Sequence, residues 1–271
     1  MSVHREDKKI TVNSILEMKV AGEKISMLTA YDYTMATLLD AAGVDMILVG
    51  DSAANVMAGY DTTLPITLNE MIYHATAVVR AAKRAMVVVD LPFGSYQGNP
   101  FEALTSSIRI LKESGAHAVK IEGGVEIRES IERIVNAGIP VIGHLGLTPQ
   151  SVHAFGGYGL RAKSVHEAHK LTSDAQVLQD AGCFAIVLEK IPAKLAGEVT
   201  DKLRIPTIGI GAGGQCDGQV LVGQDMLGMN KGFRPKFLRQ YLNLAEQIEG
   251  AVQQYVKDVK SGGFPSQEEQ Y

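Results

Sequence analysis

Six ionisable residues sit where short apolar runs end. Asp51 follows Met46–Val49 with Gly50 between them, and Ser52 stands beside it. Asp90 follows Met86–Val89, and Glu189 follows Ala185–Leu188. Lys120 lies within Ala118–Ile121, a run that ends in Glu122-Gly123-Gly124, and His144 lies within Val141–Leu145. Taken singly, an acid at such a place is a helix N-cap or a solvated loop residue. Five neighbouring runs sharing the pattern reverse that weighting, because a buried strand carries charge only where a partner or metal offsets the desolvation. Asp51, Asp90 and Glu122 brought together would repel one another, and a divalent cation resolves the repulsion. An all-oxygen set, with no Cys cluster and no paired His, favours Mg2+ over Zn2+. Such an ion keeps positions open for the keto and carboxylate oxygens of a 2-oxo acid and, as a Lewis acid, stabilises an enolate.

The remaining groups have two readings each. Lys120 lies two residues before Glu122 and so points to the same face of a strand. There it neutralises substrate oxygens or forms a salt bridge with one of the acids. Glu189 follows Ile186-Val187-Leu188, an apolar setting that raises a carboxyl pKa toward the range of a base for a carbon-bound proton. Its alternatives are a weak fourth metal ligand and a partner for Lys190. His144 is either a supporting group of the site or a hydrogen-bonded core residue.

The elements that must position these groups are legible in the apolar pattern. Ile25–Ala30, Met46–Val49, Met86–Val89, Ala118–Ile121, Val141–Leu145, Ala185–Leu188, Thr207–Ile210 and Gln219–Val222 are nearly continuous in apolar character. Strands buried on both faces, as in a parallel sheet, look like this. Helical spacing lies between them, over Asn69–Arg84, Pro100–Ser114 and Val125–Ala137. A glycine at each of four helix-to-strand joints (Gly43, Gly115, Gly138 and Gly182) predicts left-handed helix ends. Eight such runs predict a (β/α)8 barrel, whose C-terminal mouth would gather all six groups. An open doubly wound sheet is the competing architecture. Thr11–Val20 reads as a leading helix, and Lys236–Lys260 as a long amphipathic one that packs on the barrel or joins an oligomer. The tail after Gly262 reads as frayed. The chain is thus expected to be one domain over 1–271, with the barrel across 25–235.

Composition excludes several classes. The chain has 271 residues, 46% apolar and 21% charged, which rules out a disordered segment, a coiled coil and a collagen-like fibre. Net charge is 26 − 30 = −4, too mild to argue for nucleic acid or an anionic membrane as partner. Cys183 and Cys216 stand apart and read as reduced thiols. No apolar run reaches the ~18 residues of a membrane span. The charged start, Met-Ser-Val-His-Arg-Glu-Asp-Lys-Lys, lacks a signal-type apolar core, so a cytoplasmic protein is expected. Gly209–Gly214 resembles a dinucleotide loop, but it comes after six strand runs and no apolar helix follows it. It reads instead as an anion or cofactor contact on a barrel loop. His166 and His169 fall on a solvated helix face, and Thr148–Ser164 is long enough to act as a lid.

Six motifs occur in order: Val49-Gly50-Asp51-Ser52, Asp61-Thr62-Thr63-Leu64-Pro65, Asp90-Leu91-Pro92-Phe93, Val119-Lys120-Ile121-Glu122-Gly123-Gly124, the block from Gly143-His144 to Pro149-Gln150, and Gly209-Ile210-Gly211-Ala212-Gly213. Together they resemble the 3-methyl-2-oxobutanoate hydroxymethyltransferase (ketopantoate hydroxymethyltransferase) family, from about Ile25 to the C-terminal helix. The resemblance implies a TIM barrel of the phosphoenolpyruvate/pyruvate-type superfamily. It implies Mg2+-dependent hydroxymethyl transfer from 5,10-methylenetetrahydrofolate to 3-methyl-2-oxobutanoate, giving 2-dehydropantoate on the way to pantothenate and coenzyme A. By matching motif it implies that Asp51, Asp90 and Glu122 are metal residues. Asp51, Ser52, Asp90 and Lys120 would contact the oxo acid, and Glu189 would accept the proton. It also implies a cytoplasmic homodecamer. Two departures stand out. Ala53-Ala54-Asn55 replaces the usual Leu-Gly-Met, and Lys190 replaces a commoner small or apolar residue. An inward-turned Lys190 ammonium would lower the Glu189 pKa. Two rivals remain at this point: another Mg2+-dependent carbon–carbon lyase or aldolase of the superfamily, and a catalytically silent barrel that binds a metabolite or partner. Isocitrate-lyase-type members carry a Lys-Cys-Gly-His block that this sequence lacks.

Overall fold

The structure is a computed structural model that describes residues 8–232 and 234–271. The first seven residues of the charged N-terminal segment lie outside the described residues. Two compact units divide at Leu221 and Val222.

The first unit is a closed barrel of eight parallel strands in sequence order. These are β1 (Ile25–Thr29), β2 (Met46–Val49), β3 (Met86–Asp90), β4 (Ala118–Glu122), β5 (Val141–Gly146), β6 (Ala185–Glu189), β7 (Thr207–Ile210) and β8 (Gly218–Leu221). β1 pairs with β8 in the register Ile25↔Gly218 to Leu28↔Leu221, and that closure excludes the open sheet. Every residue of β2, β3 and β4 is buried, as their unbroken apolar pattern requires.

Strand parity sorts the side chains into two cores. Met27, Met46, Met86, Val88, Ala118, Ile142, Ala185, Val187, Ile208 and Val220 point inward and pack with Ile15. Ile47, Val87, Val119, Ile121, Val141 and Leu188 point outward into the helical layer. Because side chains alternate along a strand, residues two beyond an inward one are also inward. Val88 therefore sets Asp90 inward, Ala118 sets Lys120 and Glu122, Ile142 sets His144, and Val187 sets Glu189.

The helices of this unit are α1 (Val12–Ala21), α2 (Tyr33–Ala41), α3 (Ala53–Val56), α4 (Leu68–Ala81), α5 (Pro100–Ser114), α6 (Arg128–Asn136), α7 (Val152–Phe155), α8 (Val165–Asp180) and α9 (Ala193–Lys202). Local chemistry sets their ends. Asn99 caps α5 by accepting from the N–H groups of Phe101 and Glu102, with Pro100 in the first turn. The four joint glycines have φ of 88°, 79°, 86° and 101° for Gly43, Gly115, Gly138 and Gly182. They take the left-handed conformation that the sequence predicts. α4 stops at Ala81 rather than Arg84, because the Asp40 carboxylate accepts from the N–H groups of Lys83, Arg84 and Ala85. Val125–Ile127 is a 3-10 turn ahead of α6, not its first turn. No helix joins β7 to β8; the loop 211–217 runs straight between them.

The second unit holds α10 (Gly223–Met226) and α11 (Leu244–Ser261). The predicted start at Lys236 is eight residues too early. The N–H groups of Tyr241 and Leu244 donate to the carbonyls of Met226 and Leu227, which commits the chain before α11 to that pairing. None of the residues of α11 is buried. Among the described residues, no helix is long and apolar enough to cross a membrane.

Candidate active site

The predicted ionisable groups meet at the C-terminal mouth of the barrel. Asp51 lies just past β2, where its own N–H donates to Asp90 Oδ2 at 3.1 Å. Lys120 Nζ stands 3.1 Å from Asp90 Oδ1 and 3.1 Å from His144 Nδ1. Glu122 Oε1 lies 3.2 Å from the same Nδ1, and His144 Nε2 lies 3.3 Å from Glu189 Oε2. A continuous line of contacts therefore runs from Asp90 through Lys120 and His144 to Glu189. Asp51, Asp90, Lys120, Glu122 and His144 are all buried, whereas the Glu189 side chain keeps 15% of its exposure. Ser52 Oγ is 2.8 Å from the hydroxyl of buried Tyr31.

Burial and crowding shift the protonation of this cluster. Burial first, then the charges of Asp90 and Glu122, push the Asp51 carboxyl well above its usual range, against Lys120 and Gln150. Burial pushes Glu122 up to about 7; Lys120 opposes that shift and Asp90 adds to it. Burial alone would lower the Lys120 ammonium, but Asp90, Glu122 and Asp51 outweigh it and hold its pKa above the ordinary value. His144 is pushed down by burial and by the Lys120 charge. Its imidazole is therefore neutral. Lys120 can only donate, so Nδ1 accepts and Nε2–H faces Glu189. Glu122 Oε1 at the same Nδ1 suits a carboxyl that holds its proton to near neutrality.

The donor set fits a Mg2+ ion. Asp90 Oδ1 is buried and accepts no hydrogen bond, since Lys120 beside it lies out of alignment. Gln150 Nε2 takes up Asp51 Oδ2 at 2.9 Å, and not Asp51 Oδ1. Two carboxylates with retained waters are an ordinary Mg2+ arrangement. Glu122 joins them through Gln150, whose N–H donates to Oε2 at 3.0 Å, and its Oε1 faces His144. Among the described residues, no three His, Cys, Asp or Glu side chains are gathered tightly enough to share one ion.

Some features were not predicted. Gln150 contacts both Asp51 and Glu122, and Tyr96 Oη donates to Gln150 Oε1 at 2.8 Å. Gln150 stands in the block that carries the resemblance, but a neutral loop residue has no burial signature in sequence. Lys190, at φ 44°, turns its ammonium to the Tyr158 carbonyl instead of to Glu189. Its own carbonyl accepts from the Arg161 N–H at 2.8 Å, so the chain that follows α7 is tied beside Glu189. Gly146 has φ 94°, and a Cβ there would meet the Glu189 carbonyl oxygen at 2.3 Å, so only glycine lets β5 end against β6 here. Ala53 and Ala54, at the site of the first departure, are buried in α3. His166 and His169 are exposed on α8. A cavity of about 390 Å3 adjoins the mouth, lined among others by Phe93, Tyr96, Glu122, Gln150 and Phe155.

A model of ketopantoate hydroxymethyltransferase matches residues 9–267. The chain belongs to the ketopantoate hydroxymethyltransferase family. A 3-methyl-2-oxobutanoate hydroxymethyltransferase of Flavobacterium johnsoniae is 67% identical to it over 272 residues, covering 100% of both chains. Members of the ketopantoate hydroxymethyltransferase family are transferases, and this chain is one. Among solved structures, a phosphonopyruvate hydrolase in complex with oxalate and Mg2+ has a TM-score of 0.61 at 14% identity, covering 96% of this chain and 93% of that one. A 2,3-dimethylmalate lyase of the PEP mutase/isocitrate lyase superfamily has a TM-score of 0.60 at 17% identity, covering 94% and 89%. These two likenesses show the shared barrel fold.

Proposed function

We propose that this transferase moves a one-carbon unit from 5,10-methylenetetrahydrofolate to 3-methyl-2-oxobutanoate, using Mg2+. With one water, the reaction yields 2-dehydropantoate and tetrahydrofolate, on the route to pantothenate. The observation that carries this reading is the line of contacts from Asp90 through Lys120 and His144 to Glu189. It places an acid-held ammonium and a partly exposed carboxylate at the two ends of one small mouth.

Glu189 takes the proton from C3 of the oxo acid, with His144 Nε2 3.3 Å from its Oε2. The electron pair left at C3 delocalises onto the keto oxygen, and the Lys120 ammonium stabilises the charge that develops there. Opening of the folate ring leaves the methylene on N5 as an iminium, with N10 taking a proton equivalent to the one Glu189 removes. C3 bonds to that carbon, and the carbon–N5 bond then breaks as water gives its hydroxyl to the carbon and its proton to N5, so that tetrahydrofolate leaves. Asp51, Asp90 and Glu122 would hold Mg2+, which supplies a Lewis acid for the keto and carboxylate oxygens when bound. Ser52, oriented by Tyr31, contributes a hydroxyl to the substrate carboxylate. The setting is cytoplasmic and the enzyme works as a homo-oligomer, a decamer by the family resemblance. The exposed apolar residues Ile248, Val252, Tyr255 and Val259 of α11 support association.

The test is turnover with both substrates, with Mg2+, and with EDTA. We expect 2-dehydropantoate only when both substrates and Mg2+ are present, with loss in EDTA and recovery on adding Mg2+. Cleavage of a carbon–carbon bond in its place would point to a lyase. Binding without turnover would point to a silent barrel.

A further inference from the structure

Gln150 is a buried neutral residue in a cluster of charges, and its side-chain amide is fully hydrogen-bonded. Its side-chain amide donates to Leu91 O at 2.9 Å and to Asp51 Oδ2 at 2.9 Å. Its Oε1 accepts from Tyr96 Oη at 2.8 Å and from Gln97 Nε2 at 3.0 Å. Its backbone N–H donates to Glu122 Oε2 at 3.0 Å. The orientation of the amide follows from one partner. A backbone carbonyl only accepts, so the edge turned to Leu91 O, and with it to Asp51, must be the NH2 group. Asp51 therefore meets a donor that cannot flip into an acceptor without leaving Leu91 O and Asp51 Oδ2 each facing another oxygen.

The consequence is a division of labour among carboxylate oxygens. Gln150 occupies Oδ2 of Asp51 and Oε2 of Glu122, while the Asp51 N–H occupies Oδ2 of Asp90. Oδ1 of Asp90, beside the Lys120 ammonium, is left without a hydrogen bond, Gln150 takes the Oδ2 and not the Oδ1 of Asp51, and these two Oδ1 atoms are the oxygens with capacity for a cation. The short turn Pro149–Ser151 that follows β5 delivers Gln150 into the mouth, and Tyr96 and Gln97 hold it there from the β3–α5 loop.

We infer that Gln150 is the positioning residue of the cation site, turning one oxygen of Asp51 toward Mg2+ by holding the other. The inference rests on the Mg2+ reading above and adds a residue to it. Groups that orient ligands in this way typically change metal affinity by about 10–100-fold when removed.

The experiment is calorimetric Mg2+ titration of the full chain without substrate, for the wild type, Gln150→Met, Gln150→Glu and Tyr96→Phe. Circular dichroism establishes that each variant is folded. Gln150→Met keeps the length and loses every side-chain hydrogen bond, and its Mg2+ dissociation constant should rise at least about tenfold. Gln150→Glu turns an oxygen toward Asp51 and should lose more. Tyr96→Phe removes one anchor of the amide, should fold as the wild type does, and should show a smaller loss in the same direction. In turnover, KM for the oxo acid should rise in Gln150→Met while KM for the folate donor holds, a split that general loosening of the fold would not give. Wild-type Mg2+ affinity in the folded Gln150 variants, or in Tyr96→Phe if those do not fold, overturns the inference and leaves the proposed function standing. A wild type that binds no Mg2+ overturns both.

Discussion

At the N-terminal ends of the strands, Ile25, Met27, Met46, Met86 and Ala118 share one buried apolar cluster with Ile15 of α1. At the C-terminal ends, the same inward-facing rows carry Asp90, Lys120, Glu122, His144 and Glu189, most of them buried. The two ends differ in sign energetically. Burying a Met or Ile side chain contributes about 1.5–3 kcal/mol to stability. Burying a charge costs several kcal/mol unless partners repay it. One end of the barrel therefore holds the fold, and the other end carries an excess of negative charge that a cation relieves. A barrel permits this because each strand can place apolar residues early and reactive ones late along one face.

The comparison breaks most sharply at Asp51. Asp51→Asn should lower turnover about a thousandfold, the several kcal/mol that a lost metal ligand represents. It should at the same time raise the melting temperature measured in EDTA, because it relieves repulsion with Asp90 and Glu122. A fall in both would mean that the acidic mouth holds the fold together. The opposite end should behave in the opposite way. Ile15→Ala, at a fully buried position, should cost about 3 kcal/mol of unfolding free energy in urea. It should leave Mg2+ affinity and kcat unchanged at a temperature where the protein is folded.

A smaller effect sharpens the same contrast through pH. Glu122 has its pKa raised from 4.5 to about 7 in the folded, metal-free protein. The folded state therefore binds this proton more tightly than the unfolded state across that window. Its contribution is fully present below about 4.5 and is lost as pH rises through about 7, so stability in EDTA should fall across that range. Saturating Mg2+ should raise the melting temperature more above pH 7 than at pH 5. The smallest expected effect is none: His166→Ala and His169→Ala, on the exposed face of α8, should leave turnover and melting temperature at wild-type values.

The barrel and its reactive rows were legible because strand periodicity and burial act together. An acid two residues past an inward valine, as Asp90 is past Val88, has only one face to occupy. Tertiary capture was not legible. Asp40 shortens α4 through backbone groups that lie 43 to 45 positions away in the chain. The carbonyls of Met226 and Leu227 delay α11 in the same way. Within the site, the roles of Gln150 and Tyr96 are not legible, because a neutral residue in a loop declares neither its burial nor its partners. The direction of Lys190 is not legible, because it is set by a left-handed φ and by the Tyr158 carbonyl, which side-chain type does not reveal.

The central claim is that Glu189 removes the C3 proton while the rest of the mouth holds the oxo acid. Its most direct test is deuterium exchange at C3 of 3-methyl-2-oxobutanoate in D2O with Mg2+ and without folate, comparing the wild type with Glu189→Gln. We predict rapid exchange in the wild type and loss of exchange by at least about 100-fold in the variant, with oxo acid binding retained. Exchange at the wild-type rate in Glu189→Gln would contradict the account.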